Sequence, residues 1–245
     1  MAKRLLDRQA SLVDYLTSSG AVFGENGHAL LPAALRGMDP GLLRLEAHFS
    51  YEKRMEKIAT VFHRTLDLLE ERQDAIVRAF VQSCPPSDVS RISNARQFRG
   101  FLSLLWLREA PNPPFLPDVA AFEFAYAEAR LALEEAGPAE IANHPTPPHG
   151  LRRGPGVVLL RCAYDVREMF EESPHAPLPP KRDTALAIVM PPSGAQPLVF
   201  EVLPVVLELL ASLDHWTEPE ALGLTDEHAE LIRDLATHGL IEVCR

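Results

Sequence analysis

Proline punctuates this chain more heavily than any other residue type. Twenty-two of its 245 residues are proline, about 9% against a usual figure of about 5%. The ring fixes φ and removes a backbone donor, so a proline inside a helix or a central strand is costly. Pro85-Pro86, then Pro111 with Pro113-Pro114, then Pro138, Pro145, Pro147, Pro148 and Pro155 therefore mark places where regular structure stops. Between those marks the hydrophobic residues keep a helical spacing as far as residue 137 and shift to strand-like runs beyond residue 156. A chain of 245 residues also exceeds the roughly 100 to 200 that one domain usually takes. The punctuation predicts a helical bundle over 1–137, a proline-rich linker over 138–156 and a second domain over 157–245.

Within the first domain, Leu5, Leu6, Leu12, Val13 and Leu16 give a helix that Gly20 should stop. Asp39-Pro40 reads as an N-cap with proline at the first helical position. From Ser50 a longer helix is expected, with Tyr51, Met55, Ile58, Phe62, Leu66 and Leu69 on one stripe. Ile76, Val77, Phe80 and Val81 continue helically to Cys84-Pro85-Pro86, and Phe98, Phe101, Leu102 and Leu105 give the next stripe. Val119, Phe122, Tyr126 and Leu133 mark the last helix, ending at Gly137.

Past the linker, Val157 to Leu160 is a β-prone run, and Ala185 to Met190 with Leu198 to Phe200 flank Pro191-Pro192-Ser193-Gly194, a hairpin signal. Pro204 opens a helix to Leu213, Thr217 to Leu222 a short second one, and Asp226 to His238 a third, before a terminal strand at Leu240 to Val243. The fold class expected is α+β, mostly α, with an N-terminal helical bundle followed by a small winged-helix-like α/β module.

Charge narrows the function. Lys and Arg number 24 against 34 Asp and Glu, a net charge of -10, the wrong sign for attraction to phosphate backbones. A winged helix raises the alternative of a DNA-binding transcriptional regulator, yet its third helix carries Asp226, Glu227, Glu230 and Asp234 against one arginine, Arg233, so no nucleic-acid partner is expected. The N-terminal segment is amphipathic, and the most apolar run, Val202 to Leu213, is far shorter than the roughly 20 residues a bilayer needs. No membrane partner is expected, and three scattered cysteines without a CxxC fit a cytoplasmic location.

Reactive constellations are scarce. No H-E-x-x-H pair, P-loop, G-x-S-x-G elbow or G-x-G-x-x-G is present, and His144 and His149 lie in the linker without nearby carboxylates. Cys84 and Cys162 read as small buried hydrophobes, and Asp118 as a helix cap. No catalytic residue, metal site or cofactor is assigned, and the chain is not expected to be an enzyme on its own. Tyr51-Glu52-Lys53-Arg54-Met55-Glu56-Lys57 alternates in charge along a helix. That pattern fits a solvated face, or a partner-docking surface at Tyr51, Lys53 and Arg54.

Three stretches in order carry a resemblance: Cys84-Pro85-Pro86-Ser87-Asp88, Phe115-Leu116-Pro117-Asp118-Val119-Ala120-Ala121-Phe122-Glu123, and Val158-Leu159-Leu160-Arg161 leading into Tyr164-Asp165-Val166-Arg167. Together they resemble a family long labelled as a DNA-binding domain, whose members are partner subunits of multinuclear non-heme iron-dependent oxidative enzymes in peptide natural-product pathways. Leu198 to Val243 separately resembles the RiPP recognition element, which captures leader peptides. The resemblance implies a non-catalytic subunit that forms a heterodimer with the iron enzyme, which alone holds iron, and presents a ribosomally made precursor peptide to it. It also implies that the peptide adds as a strand beside the hairpin, with Val199 and Phe200 bordering the groove and Leu231 and Leu235 flooring it.

Overall fold

The computed structural model describes residues 2–24, 31–135, 150–171, 178–191, 194 and 196–244. The fold is α+β and mostly α, and the chain divides into two compact units, Met1–Pro114 and Phe115–Arg245.

The described part of the first unit is helical: α1 (Ala2–Leu16), α2 (Ser19–Phe23), α3 (Pro40–Ala59), α4 (His63–Leu69), α5 (Gln73–Ser83) and α6 (Arg91–Trp106). α1 stops before Gly20 because Ser18 leaves the helix to cap the next one, its hydroxyl accepting the Ala21 N–H at 3.3 Å. Gly20 lies inside α2, and the left-handed stop is Gly24 at φ 68°. α3 starts where Asp39-Pro40 predicts, with the Asp39 carboxylate accepting the Gly41 N–H at 2.7 Å.

The long stripe expected from Ser50 to Leu69 is broken at Thr60. The Thr60 hydroxyl donates to the Lys57 carbonyl at 2.8 Å, and the Val61 and Phe62 N–H groups both turn to the Ile58 carbonyl, at 3.0 and 2.9 Å. That competition tightens the last turn of α3. The kink places Phe62 edge-on to Phe98 with ring centroids 5.4 Å apart, and Phe80 meets Phe98 at 5.1 Å, geometry that aromatic quadrupoles favour. Tyr15, Ala21, Leu35, Leu43 and Ala47 form a second small core.

The second unit contains α7 (Leu116–Glu135), β1 (Gly150–Arg153), β2 (Val158–Cys162), β3 (Thr184–Val189), β4 (Leu198–Glu201), α8 (Pro204–Ser212), α9 (Ala229–Thr237) and β5 (Ile241–Cys244). The division therefore falls before α7, whereas the proline pattern had grouped that helix with the bundle over 1–137. α7 packs across β2 and β3. Its periodicity marks an apolar stripe without saying which neighbour covers it. Residues 136–149 lie outside the described residues, and Gly150–Arg153, expected within the linker, is a strand.

β2, β3 and β4 form one antiparallel sheet in that order. The hairpin pairs Val189 with Leu198 and Ala187 with Phe200, and the Gly194 N–H closes its turn on the Pro191 carbonyl at 2.9 Å. All six residues of β3 are buried. Ala187 and Val189 join the cluster of Val206, Leu210, Leu213 and Leu235, so by strand alternation Leu186 and Ile188 face the opposite side, where α7 lies. β5 pairs with β1 in a separate two-stranded sheet, Arg152 opposite Glu242. Beside it the Gly154 N–H donates to the Leu240 carbonyl at 2.9 Å, and a β-carbon at 154 would collide with the Gly239 carbonyl. The third helix is shorter than expected, since Asp226–His228 is a 3-10 turn, as is Pro219–Leu222. No described helix is long and apolar enough to cross a membrane.

Leu210, 0% exposed, and Leu203, 68% exposed, flank the same stretch of chain. Leu210→Ala should lower the unfolding free energy by about 2 to 5 kcal/mol, while Leu203→Ala should change it by less than about 0.5 kcal/mol. Urea denaturation followed by circular dichroism reads both.

Candidate functional site

β4 is an edge strand, since it pairs with β3 on one side and with no other described strand. The phase of its ladder is fixed by the Val202 N–H, which donates to the Ala185 carbonyl at 2.9 Å. Alternation then makes Phe200–Ala187 and Leu198–Val189 the hydrogen-bonded pairs, and Val199 and Glu201 turn their N–H and C=O groups away from the sheet. An edge of this kind can accept another strand. Phe200 is half-buried and packs edge-on to His238, at the end of α9, with centroids 5.0 Å apart. Leu198, Leu203 and Val205 are exposed around it.

The Glu201 end of β4 is held by a four-residue ionic network. Arg167 grips Asp165 bidentately, Nε and Nη2 each at 2.8 Å, and reaches Glu201 at 2.6 Å. Arg182 donates to Asp165 and, at 2.7 Å, to Glu201. The Asp165 N–H donates to the Pro180 carbonyl at 3.0 Å, so the loop after β2 and the approach to β3 converge on this carboxylate. Hydrogen bonds from Arg167 hold the Asp165 carboxyl far below the usual carboxylate range, against the opposing effect of its burial, and Arg182 adds to the shift. Arg167 is raised above its ordinary value, first by its bonds to Asp165. Asp165 and Arg167 stand in the Tyr164-Asp165-Val166-Arg167 stretch, but Arg182 and Glu201 carry no sequence signal, because only the hairpin register brings them there.

The four groove residues do not share a face. Phe200, Leu231 and Leu235 belong to or pack against one cluster, whereas Val199 points to the other side of the sheet. Leu235, at 5% exposure, is core and not an open floor. Leu231 is half-buried against the same cluster. Val199 borders the edge through its backbone and not through its side chain.

The docking residues also part company. Lys53 is exposed and Tyr51 half-buried, edge-on to Phe23 at 5.4 Å. Arg54 is buried at 8% exposure, so it is no docking contact. Its guanidinium bonds Asn94 and Gln97, each at 2.9 Å, and lies 4.4 Å from the Phe80 ring centroid. Burial lowers its pKa. Sequence spacing missed this because i,i+4 alternation in sign counts charges without locating them.

Asp118 is not the cap of its own helix. The Phe115 carbonyl accepts the first N–H groups of α7, while the Asp118 carboxylate accepts the Tyr164 N–H at 2.9 Å and so ties the helix to the loop after β2. Burial raises its pKa, and the N–H bonds from Tyr164 and Ala163 oppose that shift. Cys162 is buried, and burial, with the nearby Asp118 and Asp165, pushes its thiol up to about 12, so it is inert at neutral pH. Cys84 is half-buried, more open than expected. Among the described residues no three His, Cys, Asp or Glu side chains group closely enough to hold a metal ion, and His144 and His149 lie outside those residues. No protein-family model matches the chain, and no curated protein matches it.

The ionic network gives a pH signature. Asp165 keeps its charge in the folded state where the unfolded chain, with a carboxyl near pKa 4, takes up a proton, so its stabilisation is present above about pH 4 and is lost as pH falls below it. Asp165→Asn should cost about 1 to 2 kcal/mol at pH 7, since its arginine partners are partly exposed and screened by solvent. The gap between native and variant should narrow on going from pH 5 toward pH 2, roughly the window that linkage gives. Urea midpoints across that range provide the measurement.

Proposed function

We propose that the chain is a non-catalytic partner subunit that binds a ribosomally made precursor peptide as an added strand on β4 and presents it to a multinuclear non-heme iron oxidative enzyme. One observation carries the reading. β4 turns the backbone groups of Val199 and Glu201 outward, beside Phe200 and the end of α9, on a strand whose other side is fixed by β3 and whose end is pinned through Glu201. Main-chain hydrogen bonds along such an edge supply affinity with little demand on peptide sequence, and side pockets at alternate positions supply selectivity. The partner enzyme enters through the resemblance of the three ordered motifs.

Charge complements this assignment. The segment from Pro197 onward carries ten acidic and two basic side chains, which repels nucleic-acid backbones and attracts peptides rich in lysine or arginine. Selectivity for a basic leader follows, with an on-rate that falls as salt rises.

The test uses the intact chain with an iron-oxidase-type enzyme and a short precursor peptide, if the neighbouring genes encode them. Val199→Pro removes an outward N–H and leaves the ladder to β3 intact, a substitution edge strands tolerate. It should weaken peptide binding by about tenfold and shift the unfolding free energy by less than about 1 kcal/mol. Phe200→Pro, which removes a donor to Ala187 and a packed ring, should lower stability markedly. Fluorescence anisotropy of the labelled peptide and urea denaturation read the two effects. Unchanged affinity in Val199→Pro, or failure of the chain to co-purify with the enzyme at micromolar concentration, would overturn the proposal.

A further inference from the structure

Arg54 is a buried cation with no carboxylate among its hydrogen-bond partners in the described residues, although the Cys84 thiol lies close enough to act on it electrostatically. Its Nε and Nη2 donate to neutral carboxamide oxygens, Asn94 Oδ1 and Gln97 Oε1, while Nη1 donates to no described residue. Both carboxamides are committed elsewhere, Asn94 to the Asp88 and Ser90 carbonyls and Gln97 to Ser87 and the Pro85 carbonyl, so their orientations are fixed with oxygen toward Arg54. A charge removed from water without an anion beside it is expensive, which is why buried arginines are ordinarily paired with carboxylates.

The same arginine lines a cavity of about 300 Å³ in the first unit. Val13 from α1, at the open side, with Val22 from α2 and Val81 from α5 supplies apolar wall. Lys53 and Lys57 lie on it as well. Lys57 is tethered by a 2.6 Å bond to the Val89 carbonyl. The carboxylate on this lining is Asp88, whose Oδ1 is taken up by the Val89 and Ser90 N–H groups of its own turn. Three cations against one carboxylate leave the charged part of the lining electropositive, beside the neutral polar groups of Thr17, Ser50 and Tyr51 and the apolar side chains.

We propose that this cavity is a binding site for a small amphipathic carboxylate, whose anionic head pairs with Arg54 and whose apolar tail lies among Val13, Val22 and Val81. The volume is at the small end of ligand sites, which suits a medium-length acyl chain or a single aromatic acid. Head-group recognition is charge-assisted through Arg54, whose guanidinium Asn94 and Gln97 hold in place. Nothing in this site depends on the β4 edge, so the two proposals stand or fall separately.

The probes are sodium octanoate and, matched in tail but uncharged, 1-octanol, each titrated into the intact chain and followed by calorimetry and by the methyl resonances of Val13, Val22 and Val81. Octanoate should bind one to one with a dissociation constant below about 1 mM, and 1-octanol at least about tenfold more weakly. Arg54→Met, which keeps the packing of the stem, should bring octanoate down to the octanol value while leaving octanol unchanged. Lys53→Gln, at an exposed position, should weaken octanoate by a few-fold. Equal affinity for the two probes, absence of saturable octanoate binding, or full octanoate affinity in Arg54→Met would overturn the proposal. The comparison of probes on the native chain decides even where Arg54→Met fails to fold.

Discussion

β3 has no face turned to water. Thr184 to Val189 are buried at every position, so the strand must be covered by α7 on one side and by the cluster of α8, α9 and their neighbours on the other. The layered arrangement of the second unit follows from that requirement. β2 and β4 flank β3 as the two sides of the sheet, and β4 is left with an unpaired edge among the described residues.

Burial on both faces removes the usual control of register. A one-residue slip ordinarily exchanges an apolar face for a polar one, but β3 presents apolar side chains either way. Charged residues at the sheet margins supply the missing constraint. Arg161 on β2 pairs with Asp183 just before β3, at 2.9 and 2.6 Å, and Glu201 on β4 meets Arg167 and Arg182. A slipped hairpin would pull Glu201 away from two guanidinium groups and leave Asp165 to hold both. Single exposed ion pairs contribute little, so it is the network and the partial burial of Asp165 that give these contacts weight.

Local signals read well from sequence and distant ones did not. The Asp39-Pro40 start, the Pro85-Pro86 stop and the hairpin around Gly194 depend on neighbouring residues alone, and each is found where spacing placed it. The break at Thr60 was hidden because Phe62 and Leu66 keep the period across it. α7 was legible as a helix but not as a member of the second unit, since a stripe carries no label for its partner. Arg54 shows the same limit at a site. Its neighbours Glu52, Lys53 and Glu56 are exposed, and one turn of helix separates a solvated charge from one enclosed by Asn94, Gln97 and Phe80. Of the groove, the strand was legible and the outward backbone groups were not, because their phase depends on a single bond from Val202 to Ala185.

The pairing of β1 with β5 joins residues 90 apart in the chain, as Arg152 and Glu242 show. At synthesis rates of about 5 to 20 residues per second, β1 leaves the ribosome roughly 5 to 20 seconds before its partner. Backbone at Leu213 and Thr217 arrives earlier to cover one side, so for the rest of that interval only the side awaiting β5 stays unpaired on this strand. Arg152 and Arg153 occupy half of it, and like charges along an unpaired side discourage annealing between molecules. Once β5 arrives, the same two arginines are absorbed by Glu242 and Asp214. The residues that finish the sheet are thus the ones that guard it while it is unfinished.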